Sequence, residues 1–343
     1  MKFLIKLFIS LLIIGAILIG VGVLGGMDIS RLTQTFNQVE AYGEPIHYKE
    51  ENTITRLNVD VAIKHIDITF KDTDEMNVTY YSHTDDIWEI TNDSGILSIS
   101  QKQKMKLLFW FNFGFVDKEL LTLRIEIPKT WILDYDIHTN TGDISFFGDY
   151  IPEQSHLNTQ TIYLETDTGS IEINDVSTEE LTLKTDTGDL ALLHVFVTEM
   201  INLTNNTGVI HLEDSTAKVV EIDSSTGRIE VENLTSLSLD IDSDTSHVIM
   251  KDSNIESFVK VRISTGSINL NQVISQSYDL KTSTGDITVG LNTLVDLRYH
   301  LETSTGEITV GGIKQGDKHI TMTGLIDLIA ETSTGDIDIY VQD

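Results

Sequence analysis

After Asp136 the chain returns ten times to one phrase, a threonine and a glycine between alternating small polar and apolar residues, most often at intervals of 19 to 21 residues. The glycines are Gly142, Gly169, Gly188, Gly208, Gly227, Gly266, Gly285, Gly306 and Gly335, and Ser246 takes the same place in Asp244-Thr245-Ser246. A self-similar period near 20 residues marks a solenoid, in which a unit too small to close its own core buries its apolar face against its neighbours.

Within each unit the pattern has period two, as in Tyr278-Asp279-Leu280-Lys281-Thr282-Ser283-Thr284-Gly285-Asp286-Ile287-Thr288-Val289. That is a strand signature, and it sends Tyr278, Leu280, Thr282 and Thr284 inward, with Ile287 and Val289 inward again after the turn. Glycine supplies the turn, through a backbone conformation barred to side chains or a close approach of the next coil. Units this short leave no room for a crossover helix. Each is therefore expected to be one coil of two short strands, pairing in parallel with the coils above and below at about 4.8 Å, so that ten coils make a rod of roughly 50 Å.

Stacking in sequence order places Ile171, Leu190, Ile210, Ile229, Val248, Ile268, Ile287, Ile308 and Ile337 in one apolar column. The threonines directly before glycine form a second column, expected inside the turn with their hydroxyls bonded to each other or to turn backbone. An outward column pairs opposite charges on adjacent coils at Glu165/Lys184, Asp242/Arg262 and Lys281/Glu302. Each such pair contributes no more than about 1 kcal/mol at a solvated surface and serves register more than stability. Asp336, Asp338 and Asp343 are expected to guard an unfinished C-terminal edge.

Ahead of the repeat, residues 7–26 carry no charge. Twenty residues at about 1.5 Å each match a hydrocarbon core of roughly 30 Å, which predicts a transmembrane helix. Lys2 and Lys6 precede it and acidic residues follow, so the N-terminus is expected in the cytoplasm and the β-domain outside, anchored rather than released, since no A-x-A-like cleavage site follows. Gly20-Val21-Gly22-Val23-Leu24-Gly25 spells a dinucleotide fingerprint, but no strand precedes it and a membrane helix explains the apolar spacing. Gly22 and Gly26 have the small-xxx-small spacing of helix pairs.

The expected layout is a signal-anchor helix over residues 1–27, a juxtamembrane spacer over 28–52, irregular first coils with an aromatic cap over 53–138, and regular repeats over 139–343. Residues 102–116 stand apart. Lys102, Lys104 and Lys106 lead into an apolar stretch with Phe109, Trp110, Phe111 and Phe113. This segment either covers the open end of the core or, because basic and aromatic residues together suit an interface, contacts the membrane surface or an envelope polymer.

The 343 residues carry 53 acidic against 23 basic side chains, a net charge of −30, which excludes nucleic acid as a partner. There is no cysteine, so neither disulfides nor thiolate chemistry is available. The histidines show no metal-ligand spacing, and neither a nucleophile elbow nor a phosphate loop occurs. Asp240-Ile241-Asp242-Ser243-Asp244 begins like a calcium loop, then places Thr245 where glycine is needed and Lys251 where the bidentate glutamate belongs. No cofactor is implied. Asp242, Lys260, Arg262 and Lys281 make a mixed-charge group compatible with catalysis, and equally explained as cross-coil pairs.

Leu123-Arg124-Ile125-Glu126-Ile127-Pro128, then Tyr135-Asp136-Ile137-His138-Thr139-Asn140-Thr141-Gly142-Asp143-Ile144, then serial Thr-Ser-Thr-Gly-Asp-Ile units resemble the putative-adhesin β-strand-repeat domain of bacterial envelope proteins, which includes LiaG-like membrane proteins. The resemblance covers about residues 54–341. It implies a right-handed β-solenoid, membrane-anchored, without a defined activity or defined functional residues. The expectation is an all-β, parallel solenoid acting as a non-catalytic interaction module for an envelope protein or wall polymer, adhesin-like or accessory to envelope stress sensing. The alternatives are a polysaccharide-processing β-helix enzyme and a passive spacer for a membrane partner.

Overall fold

The computed structural model describes residues 42–103, 117–148 and 159–342. The expected anchor and most of the spacer lie outside them, and among the described residues no helix is long and apolar enough to cross a membrane. The described chain is all-β apart from one short 3-10 turn, Lys118–Leu121, and its strands join in one sheet wound into a stack of mostly parallel coils.

The repeat sets the register. Leu183 pairs with Leu203, Leu203 with Ile222, Ile222 with Ile241 and Ile241 with Val261, so like residues lie over like along the core. Every member of the apolar column from Ile171 to Ile337 is fully buried. Fully burying one Leu or Ile side chain is worth about 1.5–3 kcal/mol, and the column gains it only when neighbouring coils are present.

A coil has three short faces rather than two strands. In the strand Leu190–Glu213, Leu190 and Leu192 point inward on one face, Val195 and Val197 on the next, and Ile201, Leu203 and Asn205 on the third. The corner missed by the sequence pattern is a column of residues in the left-handed region: Asp175, His194, Asp214, Asn233, Asp252 and Gln272, with φ of 48–56°. Asp, Asn and His tolerate this conformation better than most residues, so the corner needs no glycine to announce it.

At the glycine corner the expected threonine orientation is reversed. Thr168, Thr187, Thr207, Thr226, Thr245, Thr265, Thr284, Thr305 and Thr334 are exposed. The inward residue lies two places earlier, because the chain begins its bend there and presents two consecutive residues to solvent before glycine. That inner residue bonds the corner of the adjacent coil: Thr166 Oγ1 donates to the Gly142 carbonyl (2.9 Å), Thr185 Oγ1 to that of Gly169 (2.9 Å) and Asn205 Nδ2 to that of Gly188 (2.7 Å). Glycine is required by contact. A Cβ on Gly188 would lie 1.8 Å from the Gly169 carbonyl oxygen, and one on Gly227 would lie 1.7 Å from that of Gly208.

Stacking departs from sequence order at both ends. Ser277–Thr284 pairs with Ile326–Thr334, and that strand pairs in turn with Leu297–Thr305, so the last coil is inserted between the two that precede it. At the other end Arg56–Ile63 lies between Leu133–Thr141 and Ile96–Gln103, so the first coil is also one layer inside. Asp336 and Asp338 therefore belong to an internal layer and guard no edge. The outermost strands are covered by antiparallel partners instead: Asp86–Asp93 on Ile96–Gln103, Met76–Tyr80 on Thr122–Pro128, Lys318–Ile320 on Leu297–Thr305 and Ile313–Gly316 on Ile308–Val310. Short antiparallel caps of this kind terminate a parallel ladder that would otherwise invite another strand.

These contacts separate three substitutions. Gly188→Ala should cost roughly 3 kcal/mol or more through the blocked approach and the unfavourable φ of 151°. Thr185→Ala should cost about 1 kcal/mol through its lost hydrogen bond, and the exposed Thr187→Ala should stay within about 0.5 kcal/mol of wild type. Urea denaturation followed by circular dichroism ranks them, and equal costs for the two threonine variants would contradict the assigned corner.

Candidate functional site

Along the outer side of the face that precedes the glycine corner, the residue four places before each corner forms a charged column, and the residue two places before forms a column of Ser, Asp and Asn. From the Ser246 coil to the end of the stack the charged column runs Asp242, Arg262, Lys281, Glu331, Glu302, following spatial rather than sequence order. These side chains and Ser264, Ser283, Ser304 and Ser333 line an open groove of about 470 Å³.

The pairings in it differ from the sequence expectation. Lys281 reaches Glu331 (3.2 Å), not Glu302, since the inserted coil stands between them, and Glu302 bonds Lys318 on the cap instead (2.6 Å). Arg262 lies beside Asp242 in register, yet its Nη2 donates to Asp279 Oδ2 (2.7 Å), and Lys281 approaches Oδ1 of the same carboxylate at 3.6 Å. Lys260 pairs with Asp240 one column away, so the group of four expected from sequence is divided. Glu165 and Lys184 pair as expected (2.6 Å).

Arg262 and Lys281 thus form a basic centre between carboxylates. A smaller groove of about 200 Å³ adjoins it, lined by Asp223, Asp242, Asp244 and Asn206 among others. Partial burial and the neighbouring Asp242 and Asp240 carboxylates raise the Asp223 pKa, while Lys260 opposes the shift. Among the described residues no group of three or more His, Asp or Glu side chains is placed to hold a metal ion. The groove offers hydroxyls, a guanidinium, an ammonium and carboxylates on a regular strand spacing, which suits hydrogen bonding to an extended polar chain.

Of the candidate contact residues singled out in the aromatic segment, only Lys102 is described. It is exposed on Ile96–Gln103, opposite Ile87, which is 52% exposed at the same end of the stack. Lys104, Lys106, Phe109, Trp110, Phe111 and Phe113 lie outside the described residues.

One residue at that end had no signal in the sequence. Lys64 occupies the corner of the first coil where later coils have glycine, and its side chain is 1% exposed. Its ammonium donates to the carbonyls of Tyr81 (2.8 Å) and Leu120 (3.1 Å), lies 4.0 Å from the equally buried Asp86 carboxylate and faces the rings of Tyr42 and Trp88 at 5.4 and 5.6 Å. Gln101 Nε2 and the His83 backbone N–H bond Asp86 in turn. Lys64 therefore ties together the incoming chain at Tyr42, the turn after Met76–Tyr80 and the start of Thr122–Pro128. A lysine between two alternating strands reads as a solvated one until the strands that cover it are placed.

The stacked coils define the protein as a parallel β-solenoid with antiparallel end caps. The chain belongs to the Toastrack family, a domain of unknown function (DUF4097), whose model matches residues 54–235 and 198–312. Among solved structures it is similar to a putative adhesin of Bacteroides fragilis, at 10% identity and TM-score 0.38 over 87% of this chain and 98% of that one. It is also similar to a putative lipid binding protein of Parabacteroides distasonis, at 12% identity and TM-score 0.41 over 88% and 98%. A putative cell adhesion protein of Clostridium sporogenes matches at 11% identity and TM-score 0.21 over 87% and 100%. No curated protein matches in sequence.

Burial pushes the Lys64 pKa down to about 8, with Asp86 opposing the shift. The folded state gives up this proton near pH 8, whereas the unfolded chain holds it to about 10.4, so Lys64 makes stability rise with pH between those values. The stability difference between wild type and Lys64→Met, measured by urea titration at pH 7 and pH 10, should move in favour of wild type at the higher pH.

Proposed function

We propose that this chain is a membrane-anchored, extracytoplasmic β-solenoid that acts without catalysis, as an adhesin-like module holding an envelope polymer along its side. The observation that carries this reading is the groove: a basic centre of Arg262 and Lys281, in a chain of net charge −30, flanked by serine hydroxyls that repeat with the strand spacing. A polyhydroxylated, sparsely charged polymer matches both its hydroxyl rows and its mixed charge. The cations are held against Asp279 and Glu331, which favours a binding role over acid–base catalysis. The anchor rests on the uncharged run of residues 7–26 and on Lys2 and Lys6 before it. Lys102, at the opposite end of the stack from the groove, offers a second contact, with the membrane surface.

Two measurements test this reading. The chain lacking residues 1–27 should co-sediment with purified wall polymer, and the double variant Arg262→Glu/Lys281→Glu should lose most of that binding while keeping its melting temperature within a few degrees. Equal sedimentation of the two proteins would remove the groove from the proposal. For the location, Thr226→Cys introduces a thiol on an exposed corner of a cysteine-free chain. A membrane-impermeant maleimide should label it in intact cells, and labelling only after lysis would place the β-domain inside.

A further inference from the structure

We infer that the slot between the Gly285 coil and the Gly306 coil is a strand-acceptor site, able to take residues 326–341 from a second copy of this chain as well as from its own. The inference does not depend on the polymer-binding reading of the groove, although the segment supplies Glu331 and Ser333 to that groove's lining. Its first basis is the inserted layer. Both walls of the slot precede the segment that fills it, and they stand two strand spacings apart, about 9.6 Å. Until residues 326–341 arrive, Ser277–Thr284 and Leu297–Thr305 each present an unpaired parallel edge to the other. The arriving segment completes both ladders in register, from Ser277↔Asp327 to Thr284↔Thr334 on one side and from Leu297↔Ile326 to Thr305↔Thr334 on the other.

It also completes the core. Leu328, Ala330, Ile337 and Ile339 become fully buried, and Thr332 Oγ1 donates to the Gly285 carbonyl (3.0 Å) while Thr303 Oγ1 donates to that of Gly335 (2.9 Å). Each of these contacts is the same whichever copy supplies the strand, so the choice is left to the connection between slot and strand.

That connection is the second basis. Residues 321–325 turn sharply to bring the segment back. The Leu325 and Ile326 N–H groups both donate to the Asp296 carbonyl (2.8 and 3.0 Å), and Asp296 is itself in the left-handed region at φ 63°. Gly324, at φ 143°, lies so close to the next layer that a Cβ would stand 2.5 Å from the Leu297 carbonyl carbon. The closed turn is thus conformationally demanding, the condition under which an element is exchanged between copies.

The third basis identifies the occupant. The most exposed large apolar residues among those described are Leu325 (85%), Met322 (84%) and Val295 (68%), all in this turn or the loop beneath it. One copy leaves them in water. Reciprocal exchange lays the opened turns of two copies side by side and covers all three, an interface that residues from the same turn supply twice.

The absence of native cysteine makes the test direct. Thr284 and Thr334 are exposed register partners on adjacent parallel strands, within the Cα separation a disulfide accepts. Two full-length copies with different tags, one carrying Thr284→Cys and the other Thr334→Cys, are expressed together and oxidised. A disulfide between the two tags is expected, in excess of Thr284→Cys homodimers, and Gly324→Ala in both copies should raise it several-fold by disfavouring the closed turn. The double variant Thr284→Cys/Thr334→Cys in one chain verifies that the pair can close, and Ser277→Cys with Asp327→Cys replaces it if it does not. The inference is overturned if the tags remain unlinked under conditions where the intrachain pair closes, or if homodimers form in equal yield.

Discussion

Everything in this fold depends on how closely two backbones approach at the glycine corner. The carbonyl of one coil occupies the space where the next coil's Cβ would stand, at 1.7–2.1 Å along the series from Gly142 to Gly335. No side chain fits that gap, and the inward residue three places before glycine closes it with a hydrogen bond to the same carbonyl in most coils. Corner spacing in turn fixes the vertical registration of the three faces, so the apolar columns and the outward charge columns follow from it. At Ser246 the corner is built differently, with Ser243 Oγ and Ser246 Oγ 2.6 Å apart in the interior.

Much of this was legible in the amino-acid order. The period, the parallel stacking, the apolar column and the Glu165–Lys184 pair follow from alternation and spacing alone. Thr187 was misassigned because strict alternation was carried through a bend, where two neighbouring residues share the outer side. The Asp175 to Gln272 corner was invisible because its residues differ in type and share only a conformation. The inserted coil was invisible for a different reason. Gly285, Gly306 and Gly335 have interchangeable surroundings in sequence, and which of them stack depends on the connections, not on the repeat.

That ambiguity propagated into the site. Lys281 and Glu302 have the right signs and the expected separation along the chain, yet the Gly335 coil lies between them and supplies Glu331 instead. The groove keeps its composition while its order changes. Lys64 shows the complementary limit: its role comes from groups as far along the chain as Leu120, brought together only after the end cap is assembled.

The internal position of the first and last coils bears on how the stack would come apart under load. In a solenoid wound in sequence order, a pull on the chain's end peels the outermost coil, which is held on one side only. Here the final strand, Ile337–Val341, is held by parallel ladders on both sides, and extracting it means breaking two rows of hydrogen bonds while opening a gap in the core. Tension applied at the C-terminus therefore meets its greatest resistance at the first step, and the coils behind it are shielded from unravelling one by one.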